Sequence, residues 1–164
     1  MIFKKEKNVL KVTAKDIDLM FANGSEDEKT LHVLSDQFRR VGEYESLNVM
    51  ITAMSSSGDH LNADFFQVIV DGVSILYLSS STESVKLSKH QKEVLSHVDV
   101  IACQGIAPKN LEEVISDEEP FAVIFFSQEN KLKGVEIEES AKKFNFKNSE
   151  IIQEERLTKY YVLT

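Results

Sequence analysis

The chain has 164 residues, and 19 Lys and Arg against 27 Asp and Glu give a formal net charge of −8. That length suits one domain spanning residues 1–164, and the acidic balance argues against unaided nucleic-acid binding or an anionic membrane surface, both of which demand basic faces. No run reaches the roughly 20 apolar residues of a membrane span, no secretory signal opens the chain, and the single cysteine excludes an internal disulfide and fits a cytoplasmic protein.

Taken in chain order, the first half reads as strands. Lys4-Lys5-Glu6-Lys7 reads as a solvated sheet edge, where lysines oppose edge-to-edge pairing. Val9–Val12 and Ile17–Asn23 flank the polar Ala14-Lys15-Asp16 and predict a hairpin. Residues 24–29 are a polar, acidic loop. Leu31–Ser35 is a further strand, and Asp36–Tyr44 reads as a loop with basic residues at Arg39 and Arg40. Leu47–Met54 is rich in β-formers, and residues 55–60 are a loop. Phe65–Val70 and Val73–Leu78 are joined by Asp71-Gly72, a dipeptide that tolerates the positive φ of a type I′ turn. They form the strongest hairpin signal in the chain.

The period then changes. Ser88 and Gln91 stand in capping-box spacing at a helix with Leu87, Val94, Leu95 and Val98 on one face. Asp99–Cys103 is a short strand. A second helix follows Pro108, with Leu111, Val114 and Ile115 as its buried stripe. Phe121–Phe126 is almost wholly apolar, as in a strand covered on both faces. Ile137, Ala141 and Phe144 predict a third helix, supported by the pairs Glu138/Lys142 and Glu139/Lys143. Lys159–Leu163 closes the chain as a strand. The class is α/β (α+β layered): a β-rich N-terminal half followed by β-α-β-α-β.

Several segments together resemble the metallo-β-lactamase superfamily, and within it the ascorbate-6-phosphate lactonase-like branch. They are the hairpin over 11–23, Leu31-His32-Val33-Leu34-Ser35, Gly42-Glu43-Tyr44-Glu45, the hairpin from Val68 to Tyr77, the strand Val98–Cys103, and the helix-strand pair from Asn110 to Ile124. The resemblance implies a metallo-β-lactamase-like fold in a shortened form. It also implies a two-metal site built on a His-x-His-x-Asp-His loop, later histidines and a bridging aspartate. This chain departs from that pattern at each place. The first ligand falls near Asp36, in Asp36-Gln37-Phe38-Arg39-Arg40. The bridging aspartate falls near Leu78-Ser79-Ser80-Ser81, and the late histidine near Ser127. Zinc wants imidazole, thiolate or carboxylate donors, so the expectation is no zinc, no other cofactor and no catalytic residue.

The remaining groups offer one alternative. The four histidines are His32, His60, His90 and His97. His90 and His97 are seven residues apart on one helix, about 10 Å between α-carbons, too far to share a metal. Asp36, Asp59 and His60 would form a mononuclear zinc site for a hydrolase if their loop folded over the sheet edge. Cys103 reads as a buried, inert thiol, since a nucleophile needs a lowered pKa and a base. Ser79–Thr82 lacks the nucleophile-elbow context, and Glu43 and Glu45 read as exposed. The expected role is therefore a non-catalytic module that binds a protein partner or forms a homo-oligomer, without nucleic acid or membrane.

Overall fold

Period-two apolarity governs most of this chain, and strands follow from it. The computed structural model describes residues 1–7, 9–23, 29–33, 36–55, 61–79, 82, 85, 89–95, 97–105, 107–126, 132–146 and 157–164. The first strands are β1 (Ile2–Glu6), β2 (Val9–Ala14), β3 (Ile17–Asn23), β4 (Lys29–Val33) and β5 (Asp36–Phe38). Next come β6 (Gly42–Ser46), β7 (Val49–Met54), β8 (Phe65–Val70) and β9 (Val73–Leu78). Helix α1 (Lys89–Val94), β10 (Val100–Cys103), helix α2 (Leu111–Glu118) and β11 (Ala122–Phe125) follow, then β12 (Glu139–Ala141), β13 (Lys143–Asn145) and β14 (Lys159–Leu163). None of the described helices is long and apolar enough to cross a membrane.

The strands form two sheets. One has six strands in the order β13-β1-β2-β3-β4-β5, and the other has eight in the order β12-β14-β11-β10-β9-β8-β7-β6. In the larger sheet β9, β10, β11, β14 and β12 run parallel, while β6 to β9 form an antiparallel meander. Alternation sorts the side chains into two cores. Ile75, Tyr77, Val100, Ala102 and Ile124 face the smaller sheet, where they meet Phe3, Leu10, Val12, Leu19 and Phe21. Leu76, Leu78, Ile101, Cys103 and Val123 face the other way and meet Leu111, Val114 and Ile115 of α2. The layers are therefore sheet, sheet, helices. Strands β9 to β11 lie in the middle layer and are buried at every position, which explains their unbroken apolar runs.

The Asp71-Gly72 turn has φ of 52° and 73°, as a type I′ turn requires. The β2–β3 hairpin, the α2 stripe and the closing strand also form as expected. Five expectations are corrected. Lys4–Lys7 is no sheet edge: β1 lies between β13 and β2, and its inward Phe3 draws it into the core. The loop over Asp36–Tyr44 instead supplies β5 and most of β6, and the acidic loop gives up Lys29 to β4. Leu47 and Asn48 form a turn, so the strand begins at Val49. The third helix is replaced by β12 and β13. Each is only three residues long, but β14 and β1 offer open edges, and that pairing overrides helical spacing. The chain crosses from one sheet to the other at Lys142, and Phe144 plugs the seam, its ring 4.0 Å from Tyr161 and 6.0 Å from Phe3. Ser88, the expected cap, lies outside the described residues, as do residues 24–28 and 56–60.

Candidate functional site

In open α/β sheets, chemistry collects at the carboxyl ends of parallel strands, where loops rather than core side chains line the surface. Here those ends are Leu78, Cys103 and Phe125. A cluster of buried polar residues sits there: Ser55, Asp64, Ser79, Thr82 and Gln104, each less than a tenth exposed. Local backbone pairing builds it. Asp64 N–H donates to Met54 O at 2.9 Å, and Ala63 N–H to Arg39 O at 2.8 Å, drawing the segment before β8 over the sheet end. The Asp64 carbonyl then accepts Ser79 N–H at 3.2 Å and the Thr82 hydroxyl at 2.8 Å. The hydroxyls of Ser79 and Thr82 lie 3.4 Å apart. Gln104 N–H donates to Leu78 O at 3.0 Å, and its amide oxygen accepts the Tyr77 hydroxyl. From the other sheet, the Lys5 ammonium donates to Phe126 O at 2.9 Å. Each bond offsets the desolvation of a buried group, by about 1 kcal/mol net.

These hydrogen bonds join the ends of β8, β9 and β10 through buried polar groups. Burial raises the Cys103 thiol to about 12, and the thiol donates to Gly105 O at 3.6 Å, so it stays protonated at neutral pH. Burial also raises the Tyr77 phenol, whose ring stacks on Phe21 at 4.4 Å. Neither group is poised as a nucleophile or base.

The other sequence-derived candidates are scattered. Asp36 opens β5, exposed, and accepts the Ser46 hydroxyl at 2.8 Å. Asp59 and His60 lie outside the described residues, as do Ser80, Ser81 and Ser127. His32 sits on the outer face of the six-stranded sheet, opposite Met20 and Gln37. Burial, and then the Arg39 charge, lower its pKa. His97 is at the amino end of β10, its Nε2 3.3 Å from Asp99 Oδ1. His90 is in α1. Glu43 and Glu45 are exposed on one face of β6.

Zinc fits the described donors poorly. Ser79 and Thr82 offer neutral hydroxyls, the Gln104 amide oxygen accepts the Tyr77 hydroxyl, and Cys103 keeps its proton, which leaves Asp64 as the one buried acidic side chain of the cluster. Among the described residues no three His, Cys, Asp or Glu side chains gather so that they could hold a metal ion.

Sequence reasoning missed two polar networks. Asp64 and Gln104 directly bracket the apolar runs that became β8 and β10, and that position was their only signal. At the far end of the sheet, the buried Asp99 accepts Ser74 N–H at 2.8 Å, and Gln67 donates to the Ser74 hydroxyl at 2.9 Å.

No family model matches the chain, and no curated protein matches it. Among solved structures, one from Thermotoga maritima, assigned as a Zn-dependent hydrolase of the metallo-β-lactamase superfamily, superposes with a TM-score of 0.63. The superposition covers 99% of this chain and 97% of that one, at 14% sequence identity. The chain has a metallo-β-lactamase-like fold.

Proposed function

We propose that this chain is a metal-free, non-catalytic member of the metallo-β-lactamase-like fold, nearest in kind to the ascorbate-6-phosphate lactonase-like branch, and that it works as a binding or self-associating module in the cytoplasm. The observation that supports this reading is the set of groups at the strand ends: Ser79, which falls where the resemblance puts the bridging aspartate, is a hydroxyl 3.4 Å from the Thr82 hydroxyl, and no three His, Cys, Asp or Glu side chains gather among the described residues. Fold likeness alone does not carry an activity. The opposing reading, a zinc hydrolase using Asp36, Asp59 and His60, draws on the assignment of the Thermotoga maritima structure.

Thermal unfolding with zinc and with chelator separates the two. A ligand that binds only the folded chain stabilises it by about 2.7 kcal/mol at a hundredfold excess over Kd. The non-catalytic reading expects the same Tm, within about 1 °C, with micromolar zinc and with EDTA. A rise of several degrees in zinc, lost in an Asp59→Ala/His60→Ala variant, would overturn the metal-free reading and favour the zinc site of the opposing one.

A further inference from the structure

Strand register sets one row of side chains across the outer face of the six-stranded sheet: Lys143, Lys4, Lys11, Met20, His32 and Gln37. The residues between them along each strand, such as Phe3, Val12 and Leu19, point inward and fill the core between the sheets. Neighbouring strands are about 4.8 Å apart, so three lysines stand side by side within about 10 Å. Like charges directly opposite one another destabilise a sheet. Two carboxylates offset part of that repulsion, Glu6 at 2.8 Å from Lys4 and Asp18 at 2.8 Å from Lys11. Lys143 has no ion-pair partner among the described residues. Arg39, bonded to Gln37 at 3.0 Å, carries positive charge to the far end of the row. Helix α2 packs on the far side of the other sheet, and this face meets solvent: Lys4, Lys143 and Met20 are exposed. The chain as a whole has a net charge of −8, so cations gather here against its general trend. Folding does not call for them, because Thr or Glu at position 143 would remove the repulsion.

We propose that this lysine row docks a short acidic segment of a partner protein, with carboxylates over Lys143, Lys4 and Lys11 and an apolar side chain against Met20. An extended segment repeats on one face about every 7 Å, so carboxylates at alternate residues span the lysines and the next residue on that face reaches Met20. The charge of the rest of the molecule decides among anionic partners. Nucleic acid and an anionic bilayer extend beyond the row and meet the repulsion of the acidic surface around it, whereas a few carboxylates on a peptide touch the row alone. The row also carries no Phe, Tyr or Trp on which a base could stack. The proposal rests on the binding-module reading above and names the chemistry of the partner.

The test uses the full chain, a synthetic peptide that alternates Glu and Thr and ends in Leu, and the same peptide with Gln for Glu. The Glu peptide is expected to shift the amide NMR signals of Lys4, Lys11, Met20 and Lys143, and the Gln peptide to shift none. Its affinity should fall at least fivefold between about 0.05 and 0.5 M salt. The pair Lys4→Glu/Lys143→Glu should weaken binding at least tenfold. Lys143→Glu alone should weaken it too, yet leave Tm level or higher, because Glu then opposes Lys4; lost binding is then not lost folding. Shifts spread over other surfaces, equal binding of the Gln peptide, or affinity unmoved by the lysine variants would overturn the proposal. So would an oligothymidylate or inorganic phosphate that binds the row more tightly than the peptide, or a dimer in sedimentation that the lysine variants dissolve, since the occupant would then be nucleic acid, a free anion or a second copy. Metal content is read separately. A zinc-loaded chain that still bound the peptide would overturn the metal-free reading alone, and a metal-free chain that did not bind it would overturn the docking surface alone.

Discussion

Cys103 shows how position decides chemistry at the scale of one residue. It ends a parallel strand, where nucleophiles often stand, yet its side chain points into the helix-side core. Burial raises it from its ordinary 9.0 to about 12. Between those values the unfolded chain has lost the thiol proton and the folded chain has kept it, so stability falls as pH rises. Urea titrations at pH 7 and pH 10.5 are expected to show this loss, and Cys103→Ala to shrink it. A thiol reagent at pH 7.5 should label less than about a tenth of native chains and all denatured ones; fast native labelling would reverse the assignment. His32 has the opposite sign. Burial and then Arg39 lower its pKa, so the folded chain prefers the neutral ring. The stability tied to that ring is present above about pH 6.5 and lost as pH falls below it. A flatter acid limb in His32→Gln is the expected outcome. The inert thiol was legible from its apolar strand. The Tyr77–Gln104 bond was not, because it joins residues 27 apart and only sheet register brings them together.

Among the elements, those with local signals were legible and those made by pairing were not. The Asp71-Gly72 hairpin declares itself in two residues, and α2 in the spacing of Leu111, Val114 and Ile115. Strands β5, β12 and β13 have three residues each, too few for a period, and exist because an edge was open beside them. For β12 and β13 the helical spacing of Ile137, Ala141 and Phe144 pointed the wrong way. Phe144 is the residue that makes the crossing worthwhile, sealing the seam between the sheets against Phe3, Phe146 and Tyr161. Phe144→Ala is expected to cost about 3–5 kcal/mol in chemical denaturation, against under about 0.5 for a change at the exposed Lys142 beside it. At the amino end of β10, Asp99 holds β9 by accepting Ser74 N–H. Asp99→Ala leaves that buried donor unpaired and should cost about 1–3 kcal/mol. Loss of much less would mean that water replaces the carboxylate.

For the whole molecule, the fold and the site separate. Two sheets and a helix layer are encoded by alternation along many strands, so they survive at 14% identity to a solved relative in shape. A metal site needs a few particular donors, and single substitutions remove it. Of the four histidines, His32 lies on the outer face of the small sheet and His97 at the far end of the large one. In the sequence, Asp36 and Leu78–Ser81 stand where the resemblance puts ligands; that hydroxyls, Asp64 and Gln104 gather buried at the strand ends was not legible there. In the proposed function this fold works without metal. The most direct measurement is metal per chain, by mass spectrometry, on protein purified without chelator or affinity-tag metal, beside the Asp59→Ala/His60→Ala variant. Less than about a tenth of an equivalent is expected in both. One or two equivalents of zinc, lost in the variant, would contradict it.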